Sequence, residues 1–166
     1  MKKQGFPDYI VNTSPIQYLH QAGLLHILAA MLGRVIVPTA VADELAAGRD
    51  LKLDLPDPAN LAWMEIKRPV SAPVLPLVVD LGSGETEVLA LAKEIAGSVV
   101  VIDDAVARRV AKTVGIPLTG TLGLLPDAKR KGVVLEIKPV LDNLDELRFR
   151  CSEQTRASIL RLAGEE

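Results

Sequence analysis

The sequence predicts an α/β protein on a parallel sheet, and three observations predict it. Short apolar runs alternate with helical patterns along the 166 residues, the order of strand–helix–strand units. The composition is 49% hydrophobic but only 3% aromatic, so the core must be built from Leu, Val, Ile and Ala. Asn12, Asp103, Asp104 and Thr119 stand at the carboxyl ends of apolar runs. That is the edge where open α/β sheets gather their ligands.

Tyr9-Ile10-Val11 reads as the first strand and ends at Asn12. TSPIQYLHQAGLLHILAAML follows as a helix, a break near Gly23 and a second helix. Pro15 sits early in the first of these, where its missing N–H costs nothing. RVIVP is a buried strand, and TAVADELAA a short helix with Thr39 as its cap and Gly48 as its stop. Five of the eleven prolines (56, 58, 69, 73 and 76) fall between Leu51 and Pro76. This stretch reads as loop, with AWMEIKR as a strand inside it. LGSGETEVLALAKEIAG returns to helix, since Val88, Leu91, Ala92 and Ile95 repeat at i, i+3, i+4 and i+7. SVVVIDD is a buried strand running into two adjacent acids. A helix to Val114, a short strand in IPLT and a helix from about Thr121 to Lys131 come next. VLDNLDELR and SEQTRASILRLA close the chain as helices, and no internal repeat appears.

Composition excludes several classes of function. A net charge of −2 does not fit a protein that coats DNA through a basic surface. Few aromatics leave few platforms for stacking bases, so nucleic-acid contact would rest on phosphate chemistry. Cys151 is the only cysteine, which excludes an internal disulfide and a thiolate metal cluster. The opening MKKQGFPDYI has no secretory pattern. No run approaches the ~18–20 apolar residues of a membrane span. The expectation is a soluble, cytoplasmic protein.

Two adjacent carboxylates after a buried strand need a reason, since one suffices to cap the next helix. Helix geometry, at ~100° per residue, sorts the remaining acids. Val41 and Leu45 mark a buried face; Glu44 lies at its border and Asp43 points away. Glu85 and Glu87 flank the next apolar stripe on opposite borders, and periodicity does not choose between them. Ala107, Val110, Ala111 and Val114 face inward, with Arg108 to one side and Arg109 further out. Taken singly, each acid has an ordinary role as a cap, a dipole partner or a solvated side chain. GSGE lacks the residues of a phosphate-binding loop, and His20 and His26 lack metal-ligand partners at useful spacing. Several carboxylates converging on one sheet edge would raise one another's pKa, and a divalent cation would remove that cost. All-oxygen donors favour Mg²⁺ or Mn²⁺ over zinc, and such a cation suits phosphoryl chemistry.

These segments resemble the PIN-domain nucleases, in particular a VapC-like toxin branch with GE-x-E and DD-x-x-AR motifs. YIVNTSPIQYLHQAGLLHIL is similar to the family's first strand, metal-site residue and first helices. VIVPTAVADEL resembles the segment that brings in a glutamate. GSGETEVLALA resembles the middle helix, and VVVIDDAVARRVAKTVGIPLTGTLGLL is the most specific match. FRCSEQTRASILRLAGE fits the branch's last helix. The resemblance implies one PIN-like domain over residues 1–166, with a three-layer α/β/α fold and a central, mainly parallel sheet. It implies Mg²⁺- or Mn²⁺-dependent cleavage of RNA, with Asn12, Glu44, Glu87 and Asp104 as catalytic and metal-binding residues. Glu87 is preferred to Glu85 because EVLALA aligns with the family's acidic helix start. Ser14, Glu85, Asp103, Thr119 and Thr121 would support the site, Asp103 as helix cap or beside the metal ligands. Arg108 would meet an RNA phosphate. An antitoxin protein and a second copy of the chain are the implied partners. The family usually has Asp where this chain has Asn12, which keeps a carbonyl oxygen but loses a charge. A catalytically weak PIN-like module that binds RNA or protein is therefore the alternative. A small-molecule phosphohydrolase using the same acids is a more distant one.

Overall fold

The structure is a computed structural model and describes residues 7–70 and 81–165. Five strands form one sheet: β1 (Tyr9–Val11), β2 (Val35–Pro38), β3 (Met64–Lys67), β4 (Val99–Val101) and β5 (Leu118–Thr119). Their order is β3-β2-β1-β4-β5, and every pairing is parallel. Among the described residues eight α-helices accompany them. They are α1 (Thr13–Gln21), α2 (His26–Leu32), α3 (Thr39–Asp50), α4 (Ser83–Glu94), α5 (Ala105–Thr113), α6 (Thr121–Arg130), α7 (Lys138–Glu146) and α8 (Glu153–Leu162). This is the parallel α/β sheet expected from the alternation of runs, in the three-layer α/β/α form that the family resemblance implied.

The central strands are apolar throughout because helices cover both faces of the sheet. Ile10, Val11, Val35, Val37, Val100 and Val101 are fully buried, and Leu19, Leu45, Leu89 and Leu91 pack over them from α1, α3 and α4. The chain leaves β1 toward β2 on one side and returns as β4 on the other. The carboxyl ends of β1 and β4 therefore flank the switch point of the sheet, the crevice where such sheets bind ligands. Asn12 and the pair Asp103–Asp104 follow those two strands.

Two boundaries differ from expectation. Gly48 does not stop α3, which continues to Asp50. Gly48 is a contact point: a Cβ there would lie 2.2 Å from Leu55 Cδ1, so the missing side chain lets the following loop pack on the helix. Thr39 does not cap α3 either; Pro38 precedes the helix, and the Thr39 hydroxyl is turned to Glu87. The strand expected in AWMEIKR is β3, beside a 3₁₀ turn at Pro58–Asn60. The end of the proline-rich stretch, with Pro73 and Pro76, lies outside the described residues, as does the start of the chain. Among the described residues no helix is long and apolar enough to cross a membrane.

Candidate metal and nucleic-acid site

Parallel strands followed by helices place several helix N-termini at one edge of the sheet. Each leaves N–H groups without intrahelical partners. The acids singled out in the sequence supply acceptors, often to helices remote from their own. Asp104 is the N-cap of α5, accepting from Ala107 N at 2.9 Å. Asp103 crosses to α6, accepting from Thr121 N at 2.8 Å and from the Thr121 hydroxyl at 2.6 Å. Glu44 on α3 accepts from Gly84 N at 3.0 Å at the start of α4, and from the hydroxyls of Ser83 and Thr13. Glu87 on α4 returns the contact, accepting from Ala40 N at 2.7 Å and the Thr39 hydroxyl at 2.9 Å. The two glutamates thus cap each other's helices. The opening pair of acids has its reason here: Asp103 and Asp104 serve two different helices. The capping of α5 falls on Asp104 and not on Asp103, because the chain turns between them and aims the first carboxylate inward.

Two glycines make room for this arrangement. A Cβ on Gly84 would stand 2.8 Å from a Glu44 carboxylate oxygen. A Cβ on Gly120 would stand 2.7 Å from an Arg108 guanidinium nitrogen and 2.9 Å from Asp103 Oδ1. Gly120 has an extended backbone, φ −138°, so it is needed there for space alone.

Asn12 is the exception among these acceptors. It occupies the N-cap position of α1, where Asn is among the favoured residues, yet its side chain caps nothing. It is 3% exposed, and Oδ1 is buried without a hydrogen-bond partner. A buried, unpaired carbonyl oxygen costs about 1–3 kcal/mol. It lies on a cavity of about 790 Å³ whose wall includes Ser14, Glu85, Asp103, Asp104 and Thr119. Ser14 Oγ, two residues on, lies 3.5 Å from Asp103 Oδ2, linking the ends of β1 and β4. Burial pushes the Asp103 carboxyl above its ordinary value; the Thr121 bonds, the Arg108 charge and Ser14 oppose this without overcoming it. Arg108 donates to the Ile102 carbonyl at 2.8 Å, so it supports Asp103 at a distance. The site therefore combines an orphaned neutral oxygen with a carboxylate short of compensating charge.

Those donors fit a hard divalent cation. Among the described residues no three carboxylate, His or Cys side chains gather tightly enough to enclose an ion. Mg²⁺ does not require that, since it keeps several waters and takes one or two carboxylates with substrate phosphates.

Of the residues singled out in the sequence, Asn12, Ser14, Glu85, Asp103, Asp104, Arg108 and Thr119 line the cavity. Thr121 is fully buried behind Asp103. Glu44 is half-buried and tied to Thr13, the neighbour of Asn12; Glu87 is a turn further along α4 and faces α3. Neither glutamate lines the cavity. Sequence reasoning missed Thr13, Thr39, Gly84 and Gly120, which position the acids. It also missed Tyr18, Arg148, Phe149 and Arg150, which line the same cavity. The small residues beside each acid were the available signal for the first group; nothing local announces the second. His20, left without a metal role, pairs with Asp54 at 2.9 Å.

None of the curated proteins matches this chain. A family model described as a PIN domain matches residues 8–165, from just before β1 to the end of the described chain. PIN domains are typically nucleases that bind RNA and use divalent metal ions. With the parallel sheet, the acid-lined switch point and a match over nearly its whole length, the chain belongs to the PIN-domain family.

Proposed function

We propose that this chain is a Mg²⁺- or Mn²⁺-dependent endoribonuclease of the VapC-like branch, hydrolysing RNA phosphodiester bonds as the cytoplasmic toxin of a toxin–antitoxin pair. In this reading residues 1–166 are one catalytic domain that forms homodimers, and an antitoxin protein covers the site. The observation that carries the metal dependence is the unpaired, buried Asn12 Oδ1 on the same cavity wall as Asp103.

Asn12 and Asp103 would hold the cation, with Asp104 and Glu85 on the lining of the same cavity. When bound, a hard divalent cation supplies Lewis acidity toward a phosphate oxygen and toward water. Thr121 and Ser14 fix the Asp103 carboxylate, so it need not reorganise when charge changes beside it. A carboxylate on this wall accepts the proton of the attacking water. Thr119 offers a hydroxyl to the phosphate near the N-terminus of α6. Glu44 and Glu87, also assigned to the metal from the resemblance, already hold backbone N–H groups. As ligands they would have to exchange those bonds, so their variants separate ligation from capping.

The second reading is a catalytically weak module that binds RNA or protein. The neutral Asn12 favours it, because the site carries one charge less than an aspartate would give. Cleavage of a panel of RNAs with Mn²⁺, against EDTA and Asp103→Asn controls, separates the two. Metal-dependent cleavage lost in both controls supports the nuclease. Tight metal binding without cleavage of any RNA supports the module.

A further inference from the structure

The cavity lined by the acids is also lined by basic residues. The connection between α7 and α8 brings Arg148, Phe149 and Arg150 to it. Phe149 is buried and meets the Tyr18 ring edge-on, with centroids 5.1 Å apart. That anchor fixes the two exposed arginines on either side of it. Among the described residues no hydrogen bond or ion pair engages either guanidinium. Other arginines nearby are engaged: Arg108 with a carbonyl and Arg156 with Asp142.

The backbone adds an independent observation. Arg148 follows α7 with φ +66°. Its N–H bonds to Asp145 O and that of Phe149 to Leu144 O, both at 2.9 Å. This is the paired-bond helix ending in which glycine is the usual left-handed residue. Among the described residues six glycines take positive φ, including Gly23, Gly115 and Gly132 after α1, α5 and α6. Only Lys52 and Arg148 do so with a side chain among the described residues. An arginine held in a conformation that glycine adopts more cheaply, unpaired and on the cavity wall, is placed for its side chain.

We infer that Arg148 and Arg150 bind the phosphodiester backbone of the single-stranded RNA substrate, seating phosphates in the cavity that the acids also line. A guanidinium presents paired N–H donors that match phosphate oxygens. This assignment rests on the RNA-nuclease reading for its ligand, but its test does not need catalysis.

The test is binding of a short labelled single-stranded RNA to the full chain in EDTA, over a salt series. Wild type, Arg148→Gly and Arg150→Gln are compared. Each lost phosphate contact should flatten the log–log salt slope by about 0.7 and weaken binding by roughly tenfold, ~1.4 kcal/mol. Arg148→Gly should melt no lower than wild type, since glycine relaxes the left-handed residue. Weaker RNA binding at undiminished melting temperature is the expected pair of results. Unlabelled single-stranded DNA as competitor tests the ligand: displacement at higher concentration than RNA agrees with the assignment, and preference for DNA overturns it. No binding by wild type, or equal affinity and slope in all three proteins, also overturns it. RNA bound through these arginines but never cut with Mn²⁺ leaves the assignment standing and removes the nuclease reading.

Discussion

Asp103, after β4, and Glu165, after α8, each reach across the fold to the N-terminus of a helix remote in sequence. Glu165 accepts from Ile137 N at 2.7 Å and Lys138 N at 3.0 Å at the start of α7, and pairs with Lys129 Nζ at 2.9 Å. Asp103 accepts from Thr121 N and its hydroxyl at the start of α6. The contacts are alike, and the electrostatic outcomes are opposite. Glu165 is held at about 2, against an ordinary 4.5, chiefly by its two backbone bonds. Asp103 is pushed above 3.8 by burial. The difference lies in burial and in backbone donors. Glu165 stands near the surface and takes two backbone N–H bonds, with Lys129 adding a smaller contribution; Asp103 is desolvated, and one backbone bond, two hydroxyls and the Arg108 charge do not offset that. The Glu165 cap reads as a structural fastening; the Asp103 cap, on the cavity that Asn12 also lines, is the carboxylate that the proposed cation would meet.

The largest effect that sharpens this contrast is expected at Asp103. Asp103→Asn should lower Mn²⁺ affinity and RNA cleavage by about 10–100-fold or more, as losses around metal sites do. Without metal the same variant should melt as high as wild type at neutral pH, or higher. The sign follows from linkage: a carboxyl raised in the folded state favours folding below 3.8 and loses that contribution as pH climbs through its raised value. Asparagine never ionises and never incurs the loss. Melting of both proteins in EDTA across the acidic range checks this.

Asn12→Asp should act in the other direction. It adds a charge to the oxygen that lacks a partner, so Mn²⁺ affinity should rise about tenfold, ~1.4 kcal/mol. Repulsion from Asp103 should lower stability in EDTA. A variant less stable without metal that never binds metal better would remove Asn12 from the cation site.

Glu44→Ala and Glu87→Ala test whether those glutamates belong with Asp103 or with Glu165. As reciprocal caps of α3 and α4, each should cost about 1 kcal/mol of stability, with Mn²⁺ affinity changed far less than by Asp103→Asn. A loss of affinity as large as that of Asp103→Asn would make them ligands. Gly84→Ala serves as a milder form of Glu44→Ala, because its methyl displaces only the end of the Glu44 side chain.

The smallest effect on the site is expected at Glu165. Glu165→Gln should lower the melting temperature above pH 4.5 and leave RNA cleavage unchanged. Its penalty should shrink as pH falls from 4.5 toward about 2, where the wild-type carboxyl also protonates.

The elements were legible because their signals are local. VVV before two acids and YIV before Asn12 announce buried strands, and the angle from Val41 to Glu44 turns that glutamate inward. The site was less legible because its decisive contacts are remote. Which of Asp103 and Asp104 caps α5 and which is drawn to α6 depends on Thr121, at the start of the next helix but one. Glu85 and Glu87 sit on opposite borders of one stripe, so only the packing of α4 against α3 decides which reaches the cavity. The reciprocal capping of Glu44 and Glu87 needs the N-terminal turns of α3 and α4 packed together at a fixed offset. The placing of Arg148 and Arg150 needs the end of α7 packed on α1 through Phe149 and Tyr18, which no periodicity describes.

The central claim is that Asn12 and Asp103, not the well-compensated Glu165, create a divalent-cation site. Calorimetric titration of Mn²⁺ into wild type, Asp103→Asn and Glu165→Gln tests it most directly. The account predicts equal binding by wild type and Glu165→Gln and its loss in Asp103→Asn. Binding by Asp103→Asn equal to wild type, or none by wild type, would contradict it.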